Sequence, residues 1–517
     1  MMLRAGARRP QAPLLAKEQA ARAAAVIQLP GQNRPLSRPS GKEQAARAAA
    51  VIRLALAAVA IALLAAYLWS ATTLFHGRVQ HQIEATGHSF VLSDLFPRWY
   101  GARALLQGQN PYSAAFTEEL QRAYYGAPID PAREIALFDS RLGFFYPPYV
   151  VLPLLPFLWL PFEVVRWVAT ILLAASLIAS ATLWWRALGE WPAPGAGGTG
   201  KPRSLAALHR SSPARRPTHL ARRGTPVAAV AVFSLLFLPS LDLLWLQQLT
   251  GLVLLYLVLA HLAAARKRLL FAGGLLALAM IKPQAAAVPA VGLLFWAAWR
   301  RERWPLAAGF VAVMAAQLAV AACLLPGWPS QFLAELRRYS AGNVGLYWLP
   351  ALVAGSTIAG LALVATPVLA LLAWCWWRQR EAPADSPALL HTAALSFAAG
   401  TALLPADSSL YNKVLLLVPL VTLAAAGLGT GLVGRITAQL VMAMVAVPVL
   451  ALAVPAWLEW LHLGVEAAPL IAGPVGRLLA AAPTVLLPLP LIPALAALCF
   501  ERPPGHGCSM ATQTTRE

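Results

Sequence analysis

The chain has 517 residues, of which 59% are hydrophobic and only 12% are charged. Soluble chains carry charge on about a quarter of their residues, so a string of soluble domains is excluded. The formal net charge of +20 does not point to nucleic acid either: the basic residues stand in short clusters beside apolar runs, the distribution of cytoplasmic loops in a membrane protein. Membrane lipids, not nucleic acid, are the expected surroundings.

Residues 1–53 carry ten Lys and Arg and repeat one string, KEQAARAAAVI, at Lys17–Ile27 and Lys42–Ile52. Eleven residues are too few for a solenoid unit, and the composition predicts a disordered tail on the cytoplasmic side. No short apolar core with a small-residue cleavage site precedes the first apolar run, Leu54–Leu74, which is long enough to anchor.

Phe75–Gly143 is close to charge balance, with six basic and seven acidic residues, and is expected on the exterior face. Trp99, Ala102, Leu105 and Leu106 recur at helical spacing within Arg98–Gln107, ended by Gly108, Asn110 and Pro111. A second amphipathic stretch places Phe116, Leu120 and Tyr124 on one face and stops at Gly126 and Pro128. Both are expected to be short interfacial helices.

Phe144–Phe162 contains five prolines, each removing a helical hydrogen bond, so a broken or partial crossing is expected. Trp167–Leu188 reads as a full span. Gly189–Thr225 has seven Lys and Arg against one Glu and belongs inside.

Val227–Leu246 and Leu249–Ala265 are further spans. Two basic clusters, Arg266-Lys267-Arg268 and Arg300-Arg301-Glu302-Arg303, then bracket 31 apolar residues interrupted by Lys282-Pro283. That is too long for one crossing, and a hairpin of short arms with Lys282 at its exterior turn is predicted. Leu306–Leu325 and Val414–Leu432 follow as spans, with Gly327–Pro350 and Pro405–Asn412 outside. The sum is an all-α integral membrane protein with about twelve transmembrane helices over residues 54–498, a large first exterior loop at 75–143, a basic cytoplasmic loop at 189–225 and a cytoplasmic tail at 499–517.

Three of the four cysteines, Cys323, Cys375 and Cys499, lie in apolar stretches and Cys508 in a polar tail. No disulfide framework, metal-ligand spacing or cofactor motif results.

The informative polar residues gather at the exterior ends of spans: Asp94, Arg98, Arg103, Gln247, Gln248, Lys282, Asp407, Tyr411 and Lys413. Such groups are costly near a membrane and default to function, against the structural alternatives of snorkelling for the cations and helix capping for Asp94. Moving a sugar from a lipid phosphate to a hydroxyl needs a carboxylate for the proton and cations for the leaving phosphate. Asp94 suits the first role, and Arg103, Lys282 or Lys413 the second, with Trp99, Tyr100 and Tyr146 available to stack on sugar rings.

Four strings in order, DLFPRWYGARALLQGQNPYS (Asp94–Ser113), FFYPPYVVLPLLPFLWLPF (Phe144–Phe162), QQLTGLVLLYLVLA (Gln247–Ala260) and AGGLLALAMIKPQ (Ala272–Gln284), resemble glycosyltransferase family 87. The family's turn reads Gly-Gln-Val-Asn where this chain has Gln247-Gln248-Leu249-Thr250-Gly251, and the late loop PADSSLYNK holds no histidine pair. The resemblance implies a GT-C-like fold in a multi-pass cell-membrane protein, expected in a bacterial inner membrane. It implies inverting transfer of a hexose, expected to be mannose, from a polyprenyl-phosphate sugar donor to a lipid or glycan acceptor at the exterior face. By the same resemblance Asp94 is the base, and Arg98, Tyr100, Arg103, Tyr112, Tyr146, Gln247, Gln248, Lys282, Asp407 and Lys413 bind substrate, without metal or cofactor. A transporter or lipid flippase is the alternative.

Overall fold

A computed structural model describes residues 61–77, 91–126, 142–189, 227–340, 357–403, 410–426, 453–459 and 488–500, with isolated positions beside them. Leu63–Glu517 form one compact unit; Met1–Ala62 form another, of which only isolated positions are described. Among the described residues every regular element is helical. The expectations for the 1–53 tail, the basic loop 189–225, Asp407 and the 499–517 tail fall almost wholly outside the described residues.

Helix α1 (Ile61–Gly77) packs Tyr67 and Leu74 against Leu238 and Ala456. Helix α2 (Leu95–Leu106) begins three residues before the sequence periodicity suggested. Pro97 is tolerated because it falls in the first turn, where the missing N–H had no partner to lose. Nor is α2 an interfacial helix with one wet face: Phe96, Arg98, Trp99, Ala102, Ala104 and Leu105 are all buried. Gly101 explains how it fits, since a Cβ there would stand 2.3 Å from Cδ2 of Phe144.

Helix α3 (Ala114–Tyr125) is amphipathic as its sequence predicts, burying Phe116, Leu120 and Tyr124. Ser113 Oγ accepts the Phe116 N–H at 3.2 Å, and Gly126 ends the helix at φ +82°. The proline-rich segment is broken as expected: a 3-10 turn at Pro148–Val150, four α residues at Val151–Leu154 and a 3-10 turn at Leu155–Phe157.

Helix α4 (Phe162–Gly189) is 28 residues long. Helices α5 (Val227–Leu236) and α6 (Leu238–Leu246) make an apolar pair bent by 61° at Phe237, where a single straight span would have sufficed. Then come α7 (Thr250–Ala265), α8 (Leu269–Ala279) and α9 (Pro283–Ala298), the last two separated at Met280–Lys282 as the Lys-Pro pair predicts. These arms are not packed mainly on each other; α8 lies chiefly against α7 and α10 (Trp304–Leu324). The chain continues through α11 (Trp328–Ser340), α12 (Thr357–Arg378), α13 (Pro387–Leu403), a 3-10 segment at Leu410–Leu416, α14 (Leu417–Ala426) and α15 (Pro488–Phe500).

Among the described residues α4 and Arg301–Leu324 are long and apolar enough to cross a membrane, and α5 with α6 makes up to a third. The other apolar helices have 10–17 residues, roughly 15–25 Å of rise against a hydrocarbon core of about 30 Å. Two buried indole N–H groups find acceptors inside the bundle, as an apolar environment favours: Trp184 donates to Thr422 Oγ1 at 2.8 Å and Trp376 to Ser396 Oγ at 2.9 Å.

Helices α8 and α10 cross with their backbones in close contact. A Cβ on Gly273 would lie 1.9 Å from the Leu306 carbonyl oxygen, and one on Gly309 2.1 Å from that of Leu270. Only glycine permits such backbone approach, the small-residue packing seen where helices associate in lipid.

Candidate active site

Asp94 occupies the N-cap position of α2 without capping it, since its side chain makes no hydrogen bond to the helix. The backbone around it is pinned from three directions. The Asp94 N–H donates to the Leu246 carbonyl at 2.9 Å, at the end of α6. The Ser93 N–H donates to the Tyr124 hydroxyl at 3.2 Å, and Arg166 of α4 donates to the Leu92 carbonyl at 3.3 Å. The carboxylate therefore stands free of helix duty, half-buried, where α2, α3, α4 and α6 converge.

Gln248 is the hub. Its Nε2 donates to Asp94 Oδ2, while its Oε1 accepts from Arg98 at 2.8 Å and from Lys282 Nζ at 3.1 Å. Among the described residues no donor reaches Asp94 Oδ1. Arg98, only 2% exposed, also donates to the Asp94 carbonyl and to the Tyr146 hydroxyl, with its guanidinium 4.1 Å from the Tyr146 ring centre. Two buried basic side chains thus share one amide oxygen beside a single carboxylate.

Lys282 reaches the hub because the break after α8 frees it from a helix. It also donates to Thr250 Oγ1 at 2.8 Å and sits 4.6 Å from the centre of the Tyr411 ring. Thr250 donates in turn to Asn412 Oδ1 at 3.2 Å, and the Tyr411 N–H donates to Asp242 Oδ2 at 3.0 Å. Asp242, the one acidic residue deep in an apolar run, is thereby an anchor for the 3-10 segment. Tyr149 Oη donates to the Met280 carbonyl at 2.9 Å, tying the proline-rich segment to the same break.

Of the residues singled out from the sequence, Asp94, Arg98, Tyr146, Gln248 and Lys282 come together. Tyr112 lies beside them, its hydroxyl donating to the Tyr146 carbonyl at 2.5 Å; burial pushes its phenol well up, so it remains a neutral donor. Tyr100 is not brought in. Its hydroxyl donates to Glu119 at 2.7 Å on the surface, and burial together with that bond raises its pKa to about 12. Arg103 stacks on Trp99 at 4.7 Å, away from the hub. Gln247, at φ +51°, turns its Nε2 back to the Leu244 and Trp245 carbonyls at 2.7 and 2.6 Å and closes the end of α6. Lys413 donates to the Thr401 carbonyl at 3.2 Å. Asp407 lies outside the described residues. Thr250 and Asn412 were missed, and only the proximity of Thr250 to the Gln pair could have marked either.

No group of three or more His, Cys, Asp or Glu suited to a metal occurs among the described residues. The arrangement offers one carboxylate with an unbonded oxygen, beside two cations able to meet an anion.

The sequence pattern of glycosyltransferase family 87 matches residues 144–406, half of the chain. The chain belongs to glycosyltransferase family 87. It is accordingly a membrane glycosyltransferase, acting on a sugar donor and an acceptor. The family match takes in Tyr146, Gln248, Thr250 and Lys282, whereas Asp94 and Arg98 precede it. No curated protein and no solved structure matches the chain.

Proposed function

We propose that this glycosyltransferase moves a hexose, most simply mannose, from a polyprenyl-phosphate carrier to a lipid or glycan hydroxyl on the exterior face of the cell membrane. In this reading Asp94 Oδ1 takes the acceptor proton as the acceptor oxygen bonds to the anomeric carbon. The bond from that carbon to the phosphate oxygen breaks, and polyprenyl phosphate leaves with its charge met by Arg98 and Lys282. A single carboxylate acting in one displacement inverts the anomeric centre. Residues 54–498 are the membrane domain, with 75–143 outside and 189–225 inside.

The observation that carries this reading is the sharing of Gln248 by Asp94, Arg98 and Lys282. Buried cations are expensive unless compensated, and one carboxylate offsets only one of the two. A lipid phosphate supplies the missing negative charge, and its departure is the step that such cations favour. Tyr146 and Tyr112 border the same spot and are suited to sugar contact.

The test is to offer the purified protein a panel of polyprenyl-phosphate sugars and follow release of polyprenyl phosphate. Release with one sugar and an exterior acceptor supports the proposal. Solute movement across vesicles with no lipid phosphate released from any sugar would favour a transporter instead.

A further inference from the structure

Helices α7 and α9 both start at the Gln248–Lys282 cluster and run about 24 Å to the other end of the bundle, where the α7–α8, α9–α10 and α12–α13 connections meet. An open cavity of about 1030 Å³ lies between them. Its chemistry differs from that of the carboxylate cluster, and it lies outside the proposed transfer reaction.

The floor of the cavity is rigid. Arg303, 6% exposed, lies 4.0 Å from the Trp296 ring centre and donates to four carbonyls: Trp296 at 3.3 Å, Arg380 at 2.6 Å, Glu381 at 3.3 Å and Ala382 at 3.1 Å. It clamps the 380–382 connection with neutral oxygens, so its positive charge is not cancelled by a carboxylate. Two of the three acidic side chains that line the cavity, Glu302 and Glu381, are instead paired with Arg300. The lining as a whole thus sets four cations, Lys267, Arg268, Arg300 and Arg303, against three carboxylates, Glu302, Glu381 and Asp385, with both glutamates drawn to Arg300 and the excess positive charge on the side of Lys267 and Arg268. Lys267 and Arg268 make no side-chain hydrogen bond or ion pair among the described residues. Helix α8 begins at the same wall with no side-chain cap, so the positive end of its dipole adds to the potential there.

One side of the cavity is apolar and continues outward. Leu270 is 62% exposed, Phe271 60% and Trp304 54%, and Leu270 and Phe271 line the cavity as well. In a membrane protein such exposed apolar flanks meet acyl chains, and Trp marks the headgroup level. A basic pocket between helices with an apolar exit has the form that suits an anionic lipid headgroup.

We propose that this cavity holds the phosphate headgroup of an anionic phospholipid between Lys267, Arg268 and the α8 N-terminus, with its chains lying along Leu270, Phe271 and Trp304. Zwitterionic lipids gain less there, since their own cation meets the basic side chains. The site is a lipid-holding one at the end opposite the carboxylate cluster and needs no turnover to be occupied.

The test uses the full chain in detergent, with native mass spectrometry and thermal melting in phosphatidylglycerol or phosphatidylcholine. Lys267→Gly combined with Arg268→Gln removes both charges, and glycine suits the φ of +58° at position 267, so folding is not compromised. The proposal expects phosphatidylglycerol to be retained at least fivefold better than phosphatidylcholine, and that preference to vanish in the double variant. It further expects Arg337→Gln, at an exposed position on α11, to keep the preference. Equal retention of the two lipids, a preference unchanged in the double variant, or displacement of the lipid by soluble glycerol phosphate at equal concentration would each overturn it. None of these readouts depends on glycosyl transfer.

Discussion

Gln248 donates to the carboxylate of Asp94 across 154 residues of chain, while the Asp94 N–H returns a hydrogen bond to Leu246, two residues before that glutamine. The two residues are held to each other by side chain and by backbone. The Asp94 carboxylate is thus held from the end of α6, while the helix it precedes makes no use of that side chain.

That arrangement separates two roles that a sequence cannot. An Asp that only capped α2 would be replaced by Asn at little cost, and the carboxylate makes no cap bond to lose. Asp94→Asn should fold, retain the lipid donor and lose transfer by on the order of a hundredfold or more. Near-normal release of polyprenyl phosphate by this variant would remove Asp94 from the base role.

Gln248→Leu deletes the bridge among Asp94, Arg98 and Lys282 and leaves three charged groups short of a partner. A cost of about 1–3 kcal/mol in stability is expected, together with a loss of turnover on the order of tenfold to a hundredfold. Melting and single-turnover assays on the same preparation check both. A variant as stable and as active as the parent would show the hub to be incidental.

Lys282→Met should behave in the opposite way in stability. It replaces a buried cation with an apolar chain of similar length, a change that is often neutral or stabilising, while in the proposed reaction the departing phosphate would lose one of its two cations. Unchanged or raised melting temperature with a fall in turnover of roughly a hundredfold is the expected pair of results. Wild-type turnover in a well-folded variant would take Lys282 out of the site.

Gly101→Ala places a methyl against Phe144, a ring 1% exposed with no free direction. The expected cost is about 1–3 kcal/mol, read as a lower melting temperature. Because Phe144 leads into Tyr146, the donor affinity should fall too. Phe144→Leu in the same chain should recover part of both.

Single cysteines test the sidedness of the proposed reaction. A cysteine at Ser113 should react with an impermeant reagent added outside, and one at Ser211 only after permeabilisation. The reverse pattern would move the cluster to the cytoplasmic face.

The sequence was most informative where a physical rule has few exceptions. Five prolines broke the segment after Phe144, a Lys-Pro pair broke the run after α8, and Ser113 and Gly126 bounded α3. The site was only partly legible. Asp94 and Arg98 are four residues apart on one helix face, whereas Tyr100 and Arg103 are about 200° and 140° around the helix from Arg98. That turn of geometry could have separated them in advance. Gln247 and Gln248 could not be told apart by type: the left-handed backbone at Gln247 sends one amide back onto α6 and leaves the other for the hub. Thr250, Asn412 and Asp242 join through contacts between segments up to 169 residues apart, which no local pattern encodes.

The glycine contact between α8 and α10 reaches further than packing. Sliding either helix along the other by one residue would drive a Cβ into a carbonyl, because Gly273 faces Leu306 and Gly309 faces Leu270 at distances that admit hydrogen alone. The register of α8 is therefore locked, and with it the height at which the chain breaks and Lys282 emerges, roughly 13 Å farther along. The altitude of the cation is set by two side chains that do not exist. Adding a methyl at either glycine would change the depth at which Lys282 stands without touching a charged residue.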